Sequence, residues 1–336
     1  MPEKKRLGFI DLAKAIAFMM VVCGHTFLPG SRVRAIIYSF HMPLYFVLAG
    51  YTFSKKPMVK AVVNSAKRLI LPYALYFIAV SVIPDLFIWT QEGRLVEAFS
   101  LAKIFFFVAG DNHDIAPAGA IWTLVALFLS RVILNAFAIF FSKHDVSLPL
   151  QGVICAAVSA TGFIIGGALG IWMPLCFDIG LAGVFFMWSG YAMRQLGIIE
   201  RKTNLLFLII PLAIWVLEIA SGLPGWNQAI SMVGREYRVF PLAVSGAVSA
   251  SYLLIKACFY IESISISWNP PRFHQAVLEF GERVGKASLK LYLIHCLDFF
   301  FSWEAIDIPL LGSTALFASI ARVSFDILIL LLFSML

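Results

Sequence analysis

The chain has 336 residues, 61% of them hydrophobic and 13% charged, with a formal net charge of +7. A soluble domain is nearer half apolar and a quarter charged, so a water-soluble fold, which would have to hide this excess of apolar surface, is excluded. The apolar runs do not alternate, which excludes a closed β-barrel. The basic residues fall in short segments between apolar runs, where they read as membrane orientation rather than nucleic-acid contact.

At ~20 residues per span the chain has room for roughly ten helices. The expected fold is therefore all-α: a polytopic integral membrane protein forming a single domain over residues 1–336, with no separate soluble domain. In chain order the expected spans are residues 8–29, 35–53, 69–90, 121–141, 150–171, 175–193, 204–220, 239–261, 288–303 and 312–336. The first carries Asp11 and Lys14 and is followed at once by another span, so it reads as a span and not as a cleaved signal. A basic linker, Lys55 to Arg68, separates spans two and three. The stretch 91–120 is more polar, and its apolar centre, 101–109, is too short to span; a re-entrant or interfacial role is expected. A charged linker, 262–286, contains Pro270 and Pro271 and has room for a short amphipathic helix.

Lys and Arg concentrate in alternate segments: Lys4, Lys5 and Arg6, then the Lys55–Arg68 linker, Lys143, the 194–202 loop and the 262–290 stretch. That bias places both termini in the cytoplasm. Cys23, Cys155, Cys176, Cys258 and Cys296 have neither paired spacing nor a metal pattern and read as small buried apolar residues. A short echo, Phe46 to Tyr51 and Phe186 to Tyr191, ends spans two and six with Gly-Tyr; it is either an ancient repeat or a pair of small-residue helix contacts.

Polar groups inside lipid cost roughly 2.5–3.5 kcal/mol for a mid-bilayer charge, so those that remain are functional candidates. Lys14 and His25 are eleven residues apart. At ~100° per residue both lie on one helix face, ~16 Å apart along the axis. If spans one and two form a hairpin, His41 falls at a depth similar to His25. Imidazoles there suit a general base, or are buried hydrogen-bonded histidines; spacing leaves both open. His295, with Tyr292 one turn earlier, and Arg131, with Asp178 as the expected partner, carry the same two readings. The basic linker orients the chain and attracts anionic lipid, or docks a phosphorylated donor. No phosphate-binding Gly-rich loop or dinucleotide fingerprint is present.

Phe9-Ile10-Asp11-Leu12-Ala13-Lys14 followed by Gly24-His25 resembles the first helix of membrane acyltransferase family 3, whose pattern is a basic residue, ten positions, then His. Phe40 to Tyr51, Arg68-Leu69-Ile70-Leu71-Pro72-Tyr73, Ile121-Trp122-Thr123-Leu124 and Ser288 to His295 are similar to later motifs of that family, in family order, with the sugar O-acetylase branch the nearest in pattern. Ser65 stands where the family often has the first of two arginines. The resemblance implies a bacterial cytoplasmic (inner) membrane enzyme. It would move an acyl group, usually acetyl from acetyl-CoA as co-substrate, to a hydroxyl of an extracytoplasmic glycan or lipid-linked sugar. It implies no tightly bound cofactor, no metal and no nucleic-acid partner, contact with membrane lipid, and leaves a homo-oligomer open.

By the same resemblance His25, Lys14 and His41 are the catalytic residues, His25 as general base or transient acyl carrier. Lys14, Lys67, Arg68 and Arg131 bind acyl-CoA, and Trp122, Tyr292, His295 and Asp178 line the acceptor end. A transporter or flippase of a lipid-linked sugar, and a non-catalytic scaffold, are the competing classes on composition alone; transporters often show broken helices in matching positions of two halves.

Overall fold

The computed structural model describes residues 7–27, 30–92, 105–106, 121–267, 272–297 and 315–335. The described residues are overwhelmingly helical. Seven stretches are long and apolar enough to cross a membrane: Gly8–Thr26, Arg32–Tyr51, Met58–Val82, Trp122–Lys143, Leu148–Ala168, Pro174–Gln195 and Phe240–Ile264. Leu206–Ala220 is a shorter apolar helix.

In chain order the helices are α1 (Gly8–Thr26), α2 (Arg32–Tyr38), α3 (His41–Tyr51), α4 (Met58–Ser65), α5 (Leu71–Phe77), α6 (Ile83–Glu92), α7 (Trp122–Lys143), α8 (Leu148–Phe163), α9 (Phe177–Gln195), α10 (Leu206–Ala220), α11 (Phe240–Ser267), α12 (Arg272–His295) and α13 (Ala315–Met335). A two-stranded ribbon joins Ile230–Ser231 to Glu236–Tyr237.

Two boundaries differ from expectation. The basic linker is helical from Met58 onward and continues into the third span through π-turns at Ala66–Ile70 and Ile78–Val82. Pro72 follows the first of these. A proline removes one backbone donor and crowds the carbonyl four residues back, and a widened turn relieves both. At the other end of the chain, the amphipathic linker and the ninth span are one continuous helix, α12, running from Arg272 to His295. The 91–120 stretch lies outside the described residues except for its edges and Phe105–Phe106.

The chain divides into two compact units. The first holds residues 1–48, 193–230 and 238–336. Its centre is the contact of α1 with α12. Val284 and Leu291 of α12 pack with Ala15, Phe18 and Val22 of α1, and Val323 and Ile327 of α13 lie against them. Gly281 and Gly285, four apart on α12, make this contact possible: a Cβ on Gly285 would overlap the Asp11 carbonyl, and one on Gly281 would sit 2.8 Å from Leu12. Small residues at this spacing are how apolar helices approach closely where lipid offers no hydrophobic drive. Asp11 lies beside Gly285 and His25 beside His295, so the two helices run in the same direction. Glu262 of α11 accepts from Phe9 N at 3.1 Å and so satisfies one of the unpaired donors at the start of α1. Lys256 of α11 is buried and donates to the carbonyls of Ile198 (3.1 Å), Ile199 (2.6 Å) and Arg201 (2.6 Å).

The second unit holds residues 49–192 and 231–237. Polar side chains stitch its helices: Ser130 donates to Gly180 O at 2.6 Å, and Ser159 Oγ accepts from Phe185 N at 2.8 Å. The Gly-Tyr echo is a packing contact. Gly50 lies against the Met187 backbone with no room for a Cβ, and Phe53 meets Tyr191 edge-on at 5.9 Å.

Replacing Gly285 with leucine forces α12 off α1 at Asp11. Overpacking usually costs about 1–3 kcal/mol, and a clash with backbone lies at or above the upper end. Thermal unfolding in detergent should show a lowered Tm.

Candidate functional site

Three side chains meet at the end of α1 in the first unit. His25 occupies the last turn of α1 and His295 the last turn of α12. Their rings stack at 5.3 Å with 14° between planes, and His25 Nδ1 lies 3.1 Å from His295 Nε2. The other ring nitrogen of His295, Nδ1, faces Asp326 Oδ2 of α13 at 3.3 Å. Phe18, two turns before His25 on α1, abuts the His295 ring edge-on at 6.3 Å and is itself fully buried. Asp326 is 0% and His295 1% exposed, whereas His25 is exposed. The row is sealed at its acidic end and open at its imidazole end.

The roles of the ring nitrogens depend on the tautomer. In the form with Nδ1–H of His295 toward Asp326, His295 keeps a lone pair on Nε2, and His25 then turns Nδ1–H to it and keeps its own lone pair on Nε2. In that form the exposed His25 ring can accept a proton at Nε2, with a second imidazole and a carboxylate behind it. Asp326 was not among the residues singled out from the sequence. The signal was present: an acid amid the apolar run 312–336, four residues after Arg322, so that both share a helix face.

Lys14 Nζ lies 3.1 Å from Asp11 Oδ1, one turn apart at the other end of α1. His41 is buried at the start of α3, its Nδ1 3.0 Å from Ile37 O and its ring 4.6 Å from that of Tyr38. Tyr292 is buried on α12, one turn before His295. The first unit therefore holds Lys14, His25, His41, Tyr292 and His295, and among these the structure joins His25 to His295. It also holds Glu218, buried on the otherwise lipid-facing α10, where it fills the space left by Gly246 of α11; its carboxylate has no hydrogen-bond partner among the described residues.

The second unit holds the other predicted residues, in two places. Arg68 and Arg131 line one cavity of about 100 Å³ together with Lys56, Asn64 and Asn135. No carboxylate lines it among the described residues. Arg131 lies over the Phe53 ring at 5.9 Å, a stacked position that suits guanidinium. Lys67 is exposed and is not among the lining residues. Asp178 does not pair with Arg131, contrary to the sequence expectation. Its partner is Arg235 of the ribbon, with Nε 2.7 Å from Oδ2 and both side chains buried. Arg235 in turn lies 4.3 Å from the Trp172 ring. Loop residues have no helical period, so nothing in the sequence ties Arg235 to Asp178. Trp122 is buried at the start of α7.

The described residues thus hold the His25–His295–Asp326 row in the first unit and the cation-lined cavity in the second. A family model described as an acyltransferase domain matches residues 7–335, and the chain belongs to that family, acyltransferase family 3. It is a multi-pass membrane acyltransferase. No curated protein and no solved structure matches it.

Two outcomes follow. Asp326→Asn keeps the shape but removes the negative charge behind His295 and turns one of the two acceptor oxygens into a donor; acyl transfer should fall about 10²-fold or more, with thermal stability nearly unchanged, as read by initial rates and unfolding in detergent. Asp178→Ala strands Arg235 as a buried charge and should cost about 3–5 kcal/mol of stability, read as a large fall in Tm.

Proposed function

We propose that the protein moves an acyl group, acetyl in the first instance, from acyl-CoA to a hydroxyl of a glycan or lipid-linked sugar, with His25 as the general base. The single observation that carries this reading is the His25–His295–Asp326 row, open at His25 and buried at Asp326.

In the proposed step His25 Nε2 takes the acceptor's hydroxyl proton as that oxygen attacks the thioester carbonyl carbon. The tetrahedral adduct collapses, the C–S bond breaks, and the CoA thiolate receives the proton from His25. The products are the O-acylated acceptor and CoA–SH, and the chain returns to its starting state. While the proton resides on His25, the Nδ1–H bond to His295 and the Asp326 charge behind it stabilise the imidazolium. The same Nε2 lone pair equally serves an attack in which His25 briefly carries the acyl group, which labelled-intermediate trapping distinguishes.

The donor's phosphates are assigned to the cavity of Arg68 and Arg131. Two guanidiniums and a lysine around a space that no carboxylate lines among the described residues repel one another, and guanidinium binds phosphate oxygens through paired charge-assisted hydrogen bonds. Tyr292, and the exposed edge of the His25 row, are assigned to the acceptor. Lys14, held by Asp11, keeps the other end of α1 in place and steadies the donor.

We further infer ten spans with both termini in the cytoplasm, at a bacterial inner membrane. The parallel run of α1 and α12 agrees with this count in parity alone, because any two spans separated by an odd number of others cross in the same direction.

Purified protein with isotope-labelled acetyl-CoA and candidate glycans, followed by mass spectrometry, tests the reading. His25→Ala should lower transfer about 10²–10⁴-fold and leave CoA binding intact; a folded variant that still acetylates at the wild-type rate ends the proposal.

A further inference from the structure

Lys55 and Lys56, which follow α3, are both held by α7. Asn135 Oδ1 accepts from Lys56 N at 2.9 Å while its Nδ2 donates to Lys56 O at 3.0 Å. A side-chain amide presents an acceptor and a donor side by side, so one asparagine satisfies both backbone groups of one residue, as a neighbouring strand would. Ser142 Oγ, seven residues further along α7, accepts from Lys55 Nζ at 2.6 Å. Arg131, Asn135 and Ser142 stand at i, i+4 and i+11, within ~40° of one helix face. Asn135 is 1% exposed in the middle of an apolar helix. An amide buried there is expensive unless both of its ends are bonded, and here both are bonded to the segment that carries the cavity's lysine. Asn135 itself lines the cavity with Lys56, Arg68 and Arg131.

We infer that Asn135 is a positioning residue for the cation-lined cavity: by clamping the Lys56 backbone to α7, it sets how Lys56, Arg68 and Arg131 converge on the phosphates of the acyl donor. The inference rests on the reading that this cavity takes those phosphates. It assigns Asn135 to donor affinity, with no part in the acyl-transfer step.

The experiment compares two donors on the purified protein: acetyl-CoA, and acetyl-pantetheine, which carries the same thioester without the nucleotide phosphates. Asn135→Leu, close in volume and unable to make either bond, should raise KM for acetyl-CoA about tenfold with kcat held within about twofold. It should leave the rate with acetyl-pantetheine and the KM for the glycan unchanged. Arg68→Ala and Arg131→Ala should show the same donor selectivity.

If the arginine variants discriminate between donors and Asn135→Leu does not, positioning by Asn135 is overturned and the cavity reading stands. If neither arginine variant discriminates, the cavity reading fails and the inference fails with it. An equal loss with both donors marks Asn135 as structural only and also overturns the inference. Should Asn135→Leu not fold, Asn135→Ala is read in the same assay. It loses both bonds to Lys56 and brings no charge to the cavity, so selective weakening toward acetyl-CoA is again the supporting result and its absence overturns the inference.

Discussion

The contact between α1 and α12 at Gly281 and Gly285 governs everything else in the first unit. Without side chains at those two positions the Asp11 backbone settles directly on α12. That approach fixes the axial register of two parallel helices, and the register delivers His25 to His295 at their far ends. The distance from Asp11 to His25 is fourteen residues and from Gly285 to His295 ten, ~21 Å against ~15 Å of rise. The ~6 Å difference is spanned by the two imidazole side chains, and Phe18, Val22 and Leu291 pack between the two places. A shift of one residue would move His25 by ~1.5 Å and turn it by ~100°, enough to lose the ring stack. The glycines, far from the imidazoles, are what hold them together.

Much of this was legible in the residues and some was not, for reasons that are physical. Helical period alone put Lys14 and His25 on one face of one helix, because a single helix obeys a single period. The same argument found His295 as an intramembrane imidazole but could not say what it touched, since a period carries no information between helices. Asp326 was discernible as a buried acid in lipid, and its partner was not. The Gly-Tyr echo looked equally like a repeat or a contact until Gly50 was seen against the Met187 backbone. The Lys55–Arg68 stretch read as a loop because its charges hid the helical period; from Met58 it is a helix with lysines on its outer side. Arg235 was beyond reach, as a loop residue whose place depends on a tertiary ion pair.

Buried charges in this protein are met in different ways, and the differences separate scaffold from site. Lys256 is satisfied by three carbonyls at the end of a turn, and Asp178 by a guanidinium with its own aromatic face. Both arrangements are closed: every strong donor or acceptor is answered within the fold, and neither has room for anything else. Such groups hold loops in place. Their loss costs stability because the remaining partner is stranded away from water.

The His25 row and the Arg68–Arg131 cavity differ in kind. In the row, the acid is buried behind two imidazoles, the outer of which lies at the surface of the fold. A carboxylate so placed favours an extra proton on the rings in front of it. In the cavity, Lys56, Arg68 and Arg131 face a space that no carboxylate lines among the described residues, and like charges brought together in this way repel one another. Apolar residues at Asp326 and Arg131 would pack a membrane helix more favourably; on the proposed function, the one answers for a proton taken up at His25 and the other for an anion bound in the cavity.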